Sequence, residues 1–153
     1  MMMMLGQLIT SFIATGAFGI LFNAPKESLI KCGLIGMGGW ILYYVIQDYS
    51  GEDVPATLIA SLFVGIVSFI LARTYKTPVI IFSVAGIIPL VPGGFAYNAM
   101  RNFVENDYNS AIAAAAKVLL LSGAIAFGLV FAEVINQIVR KIRPIKYNDK
   151  NSI

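Results

Sequence analysis

Residues 78–103 read PVIIFSVAGIIPLVPGGFAYNAMRNF, and the first charged side chain in that run is Arg101. The stretch is apolar enough to be a membrane span, yet Pro89, Pro92, Gly93 and Gly94 fall within six residues at its centre. Proline removes a backbone donor and clashes with the preceding turn, so the segment predicts a helix that stops and restarts. In hydrocarbon every backbone N–H and C=O needs a partner, so such an interruption is tolerated where it is buried in protein or lines a cavity. A soluble reading fails on composition. The 153-residue chain is 58% hydrophobic and 12% charged, with mean hydropathy +0.80, whereas soluble domains carry roughly 25% charged residues.

Working outward, four further apolar stretches lie at about 5–22, 29–47, 54–72 and 110–139, giving an all-α integral membrane protein of about five transmembrane helices, the fourth interrupted. Residues 1–139 form a single transmembrane domain and 140–153 a basic cytoplasmic tail. The last span would run roughly 45 Å at 1.5 Å per residue, longer than the ~30 Å hydrocarbon core, and so predicts tilt or protrusion. The segment 1–4 lacks the basic flank and cleavage site of a secretory signal and is read as part of the first span.

Charge placement orients the spans. Lys26 and Lys31, then Arg73 and Lys76, then Arg140, Lys141, Arg143 and Lys146 fall in every second loop, while Asp48, Glu52, Asp53, Glu105 and Asp107 fall in the others. Positive loops are retained inside, so the N-terminus is expected outside and the C-terminus inside. A four-span alternative makes span four a re-entrant hairpin. The net charge of +3 is thus a topology signal, and no nucleic-acid partner is expected.

No His and a single cysteine, Cys32, exclude an intramolecular disulfide, a His acid–base and a Cys/His zinc cluster. Neither an enzyme nor a cofactor is expected. A channel lacks its charged ring or filter repeat. Cys32 reads as a packing residue.

Polar groups inside spans are the functional candidates. After the break, a half-helix starting near Gly93 would present free N–H groups and its positive dipole end, which suits a carboxylate. Pro89, Pro92, Gly93, Gly94, Tyr97 and Asn98 are therefore the substrate-binding candidates, and a simple kink or packing hinge is the alternative. Lys117 and Glu133 are the ionisable residues within a span. Lys117 is placed near the outer boundary, where it can snorkel or serve the pathway. Glu133, more than one turn inside the cytoplasmic end, can reach water, pair with a cation such as Arg73, or couple protons. Ser11, Thr15, Gly19 and Asn23 recur every four residues, a stripe that either packs helices or lines a pathway. Ser61, Gly65, Ser68 and Ala72, and Ala124, Gly128 and Ala132, read as packing stripes. The glycines at 33, 36, 38 and 39 lack the context of a phosphate loop.

Two motifs carry a resemblance. Phe22-Asn23-Ala24-Pro25 is similar to a Phe-Asn-x-Pro after the first span, and residues 88–100 resemble a Pro-x-x-Pro-Gly-x-x-x-Tyr-x-x-Met signature, both features of the small, C-terminal-type half of the ThrE threonine/serine exporter family. The resemblance covers most of the chain. It implies a larger ThrE-like membrane subunit as partner, a small carboxylate-bearing substrate such as threonine or serine, and the bacterial cytoplasmic membrane as location. Succinate export by a paired form of the family is the alternative substrate reading, and a non-transporting scaffold subunit the alternative role. A homo-oligomer stays open. With no nucleotide-binding motif, transport is expected to be secondary, driven by a proton or substrate gradient.

Overall fold

The computed structural model describes residues 2–142, and side chains from residue 6 onward. Six α-helices follow in order: α1 Met2–Leu21, α2 Lys26–Ser50, α3 Asp53–Tyr75, α4 Val79–Ile87, α5 Gly93–Val104 and α6 Tyr108–Ile142. A 3-10 turn, Ile88–Leu90, links α4 to the break before α5. No strand occurs among the described residues. The basic tail expected from 140 onward begins as helix through Ile142, and 143–153 lie outside the described residues.

Local chemistry sets the ends. Pro25 and Pro78 precede α2 and α4 in extended conformation, where a missing N–H costs nothing. Gly51 ends α2 in the left-handed region at φ 71°, its N–H donating to Gln47 O at 2.8 Å. Asn23 and Asn106 take the same conformation in their turns, at φ 55° and 63°. The Asp107 carboxylate accepts from the Ser110 N–H at 3.2 Å at the head of α6, and this bonding to Ser110 holds its carboxyl below the usual range.

The register of contacts gives the topology. Cys32 lies against Ile81 O of α4, Ile35 against Gly86 and Gly39 against Leu90, so α2 and α4 run parallel. Asp53 meets Lys117, Ser61 meets Ala124, and Gly65 meets Ala132, so α3 and α6 also run parallel. Parallel α3 and α6 require exactly one return pass between them, which α4 and α5 make together. A re-entrant hairpin would have left them antiparallel. With α1 antiparallel to α2 through Gly33 on Phe12 and Gly19 on Leu29, the chain makes five passes of one helical bundle. Helices α2, α3 and α6 are each long and apolar enough to cross a membrane, α4 and α5 meet that test only together, as a pair bent by 53°, and the apolar part of α1, Gly6–Leu21, is shorter. Helix α1 has 20 residues, ~30 Å at the helical rise.

Close approach replaces a thick hydrophobic core. A Cβ on Gly128 would stand 2.8 Å from Leu58 O and 3.0 Å from Leu62 N, and one on Gly65 2.5 Å from the Ala132 Cβ. Small residues here let α3 and α6 backbones touch, the contact that membrane helices use in place of hydrophobic collapse. Cys32, Val64, Phe82 and Leu90 form the buried centre. Ser11 and Thr15 are buried, Thr15 donating to Ser11 O at 2.7 Å and packing on α2, where a Cβ on Gly36 would meet the Thr15 Cβ at 2.8 Å. At Thr15 the stripe packs on α2. Asn23 is instead an exposed turn residue.

Candidate functional site

The break sits at mid-height of the bundle. Leu90 reaches Gly39, which abuts Val64, the middle residue of α3. Because α5 leaves that point at 53°, the helices part and enclose a cavity of about 310 Å³. One wall is the break itself, with Pro89, Pro92, Gly94, Phe95 and Asn98; the facing wall is Trp40, Tyr43, Thr57 and Leu121 from α2, α3 and α6.

Neither Gly93 nor Gly94 has positive φ, and a Cβ on either would meet nothing within 4 Å. Neither strain nor chain packing therefore demands glycine there; the missing side chains leave the backbone uncovered. No side chain caps α5, and among the described residues the N–H groups of Gly94 and Phe95 have no acceptor. These are the orphan donors of a helix start. The Trp40 indole N–H, on the opposite wall, is likewise buried without an acceptor, a condition that costs about 1–3 kcal/mol when nothing compensates it.

At the rim, three helices meet on one carboxylate, and a fourth packs on its cation. Asp53 Oδ1 accepts from Tyr43 OH at 3.1 Å and from Gln47 Nε2 at 2.8 Å, while Oδ2 pairs with Lys117 Nζ. The same ammonium lies 4.4 Å from the centroid of the Phe95 ring. Asp53 is thus satisfied from α2 and α6 at once, and Lys117 connects it to the first turn of α5. The Lys117 side chain is 41% exposed and that of Asp53 14%, so the lysine keeps solvent contact while the carboxylate is held inside.

Not all the sequence candidates converge. Asn98 joins the cavity, but Tyr97, its neighbour, is 67% exposed on the far side of α5 and Gly93 is not in the wall; successive helical residues point about 100° apart. Lys117 does not simply snorkel but pairs across the bundle. Glu133 does not pair with Arg73, which donates to Asn136 Oδ1; Glu133 is exposed and accepts from Gln137 Nε2 at 3.0 Å. Asp53, Tyr43, Gln47 and Trp40 were missed by sequence reasoning. The signal available was the i, i+4 spacing of Tyr43 and Gln47 on one helix face, just before an acidic helix start.

The cavity wall holds the Pro-x-x-Pro-Gly segment, and that segment lies within a match to known proteins that covers most of the chain. The sequence matches the family described as Threonine/Serine exporter, ThrE, over residues 7–135. It is 30% identical over 142 residues to a threonine/serine exporter of Corynebacterium glutamicum, covering 93% of this chain and 28% of that relative. It is 28% identical over 137 residues to an uncharacterized protein of Haemophilus influenzae, covering 84% of this chain and 46% of that relative. The chain thus spans less than half the length of these curated relatives. No solved structure matches it. With the family match extending from α1 to α6, the chain belongs to the threonine/serine exporter, ThrE, family.

Proposed function

We propose that this chain is the smaller membrane half of a two-part secondary exporter that moves small carboxylate-bearing metabolites, threonine and serine in the first place, out of the cytoplasm. Its five passes are five membrane crossings, with the N-terminus outside and the C-terminus inside a bacterial cytoplasmic membrane, in line with the alternation of basic and acidic loops. The observation that carries the reading is the cavity at the broken span, which Gly94, Phe95 and Trp40 line together, with N–H groups at the start of α5 that lack an acceptor and the Lys117 ammonium over the Phe95 ring. Helix starts and ammonium groups both favour carboxylates.

Lys117 is the cation that exchanges partners. In this structure it pairs with Asp53; a substrate carboxylate arriving between Phe95 and Lys117 takes over that ammonium, while Tyr43 and Gln47 keep Asp53 hydrogen-bonded. Pro89, Pro92 and Gly94 hold the cavity open, Gly93 starts the half-helix behind it, and Asn98 supplies a polar contact. Glu133, on the outer face of α6, is the coupling carboxylate of this reading; Ser11 and Thr15 act through packing.

Efflux of preloaded, labelled threonine, serine and succinate is the test, from vesicles holding this chain, the larger family half, or both. Efflux with both alone supports a two-part exporter and identifies its substrate. Full efflux from the larger half alone would make this chain a scaffold. No movement of any carboxylate would overturn the exporter reading.

A further inference from the structure

Glu133 is out of place for a residue that faces lipid. Ala132 packs on Gly65, next to the middle residue of α3, so Glu133 lies within one turn of the bundle's mid-height. Beyond it α6 exposes Val134, Ile135 and Ile138, with Asn136, which Arg73 engages, and Gln137 between them. Arg140, the first cation after it, is seven residues on, about 10 Å along the axis. Unlike lysine or arginine, glutamate has no long stem with which to reach the headgroups. Among the described residues its hydrogen-bond partner is the Gln137 amide.

Glu133, Gln137 and Arg140 are all exposed and follow the i, i+4, i+7 spacing, so they form one polar stripe on the outside of the bundle. Ionisable residues at this depth face a protein interior or a water-filled cavity, because hydrocarbon offers a carboxylate no partner. We infer that this stripe of α6 is the docking face for a transmembrane helix of the polypeptide that completes the longer relatives, and that this helix brings a cationic or hydrogen-bond-donating side chain to Glu133. The inference rests on the proposal that a second half exists, and it locates the contact. The length argument favours that occupant: matched relatives carry this region as only 28% and 46% of their chains. A second copy of this chain is disfavoured, since a two-fold contact centred on the stripe brings Glu133 against Glu133.

The test uses the full chain co-expressed with a tagged larger half. A photo-crosslinking residue at Gln137 is expected to trap that half, and one at Ile138, exposed one residue on and on the other flank of the buried face, to trap lipid. Glu133→Leu is expected to cut recovery of the complex at least about fivefold, and Glu133→Gln, which keeps a hydrogen-bonding carbonyl, to restore most of it. The thermal midpoint of the Glu133→Leu chain alone should be unchanged or higher, which separates lost docking from lost folding. Lipid-only products at Gln137, trapping of a second copy, or undiminished recovery of Glu133→Leu would overturn the inference. Recovery is read without transport, so failed efflux with an intact, stripe-dependent complex would count against the exporter reading alone.

Discussion

If Lys117 exchanges Asp53 for a substrate carboxylate, removing the competing carboxylate must strengthen binding, an outcome that a purely structural ion pair would not produce. Asp53→Asn keeps an oxygen for Tyr43 and Gln47 and leaves Lys117, 41% exposed, able to stay charged. An ion pair with that much solvent contact is worth about 0.2–1 kcal/mol. Returning that amount to the ligand lowers its Kd about 1.4- to fivefold. Lys117→Met removes a charge-assisted contact of about 1.5–3 kcal/mol and should weaken binding tenfold or more, while Asp53 keeps two hydrogen bonds. The chain has one tryptophan, Trp40, in the cavity wall. Its fluorescence, titrated with threonine and with succinate on the chain in lipid nanodiscs, reads both effects. If Asp53→Asn weakened threonine binding several-fold, Asp53 would itself be a ligand for the ammonium group and the exchange would be refuted.

Gly94→Leu, whose side chain would enter open space beside the cavity, should leave the thermal midpoint within about 2 °C and abolish the Trp40 response. Asn98→Ala should weaken that response, whereas Tyr97→Phe, on the exposed side of α5, should leave binding by this chain unchanged and affect only the assembled exporter. Gly128→Val forces a side chain against the backbone of α3 and should cost about 1–3 kcal/mol in a denaturation assay, while Gly123→Ala, which meets nothing, should be neutral; equal effects would refute the close-approach account. A cysteine replacing Asn106, in the turn between α5 and α6, should react with a membrane-impermeant thiol reagent from outside; labelling only from the cytoplasm would invert the topology.

Much of the fold was legible because lipid imposes its rules locally. A charge-free run long enough to cross, a proline that cannot donate, and a basic loop that stays inside each act through a few neighbouring residues, and so 78–103 announced both a span and its interruption. The candidate site was only half legible. Pro89, Pro92, Gly94 and Asn98 reach the cavity because they belong to the break, but Asn98 and Tyr97 could not be told apart without the azimuth of α5. Asp53 read as one acid in a turn, since nothing near it in sequence reveals that Lys117 is its partner.

By itself, then, the sequence determined the solvent, the succession of passes and the position of the broken helix, all consequences of transfer free energy and backbone hydrogen bonding along short segments. The tertiary structure decided what those segments do to one another. Parallel packing of α3 on α6 at Gly65 and Gly128 brings Lys117 to Asp53, carries Glu133 to mid-height on the outside, and turns a 53° bend into a cavity. Each depends on the rotation and register of helices distant in sequence, which side-chain packing fixes and local composition does not encode.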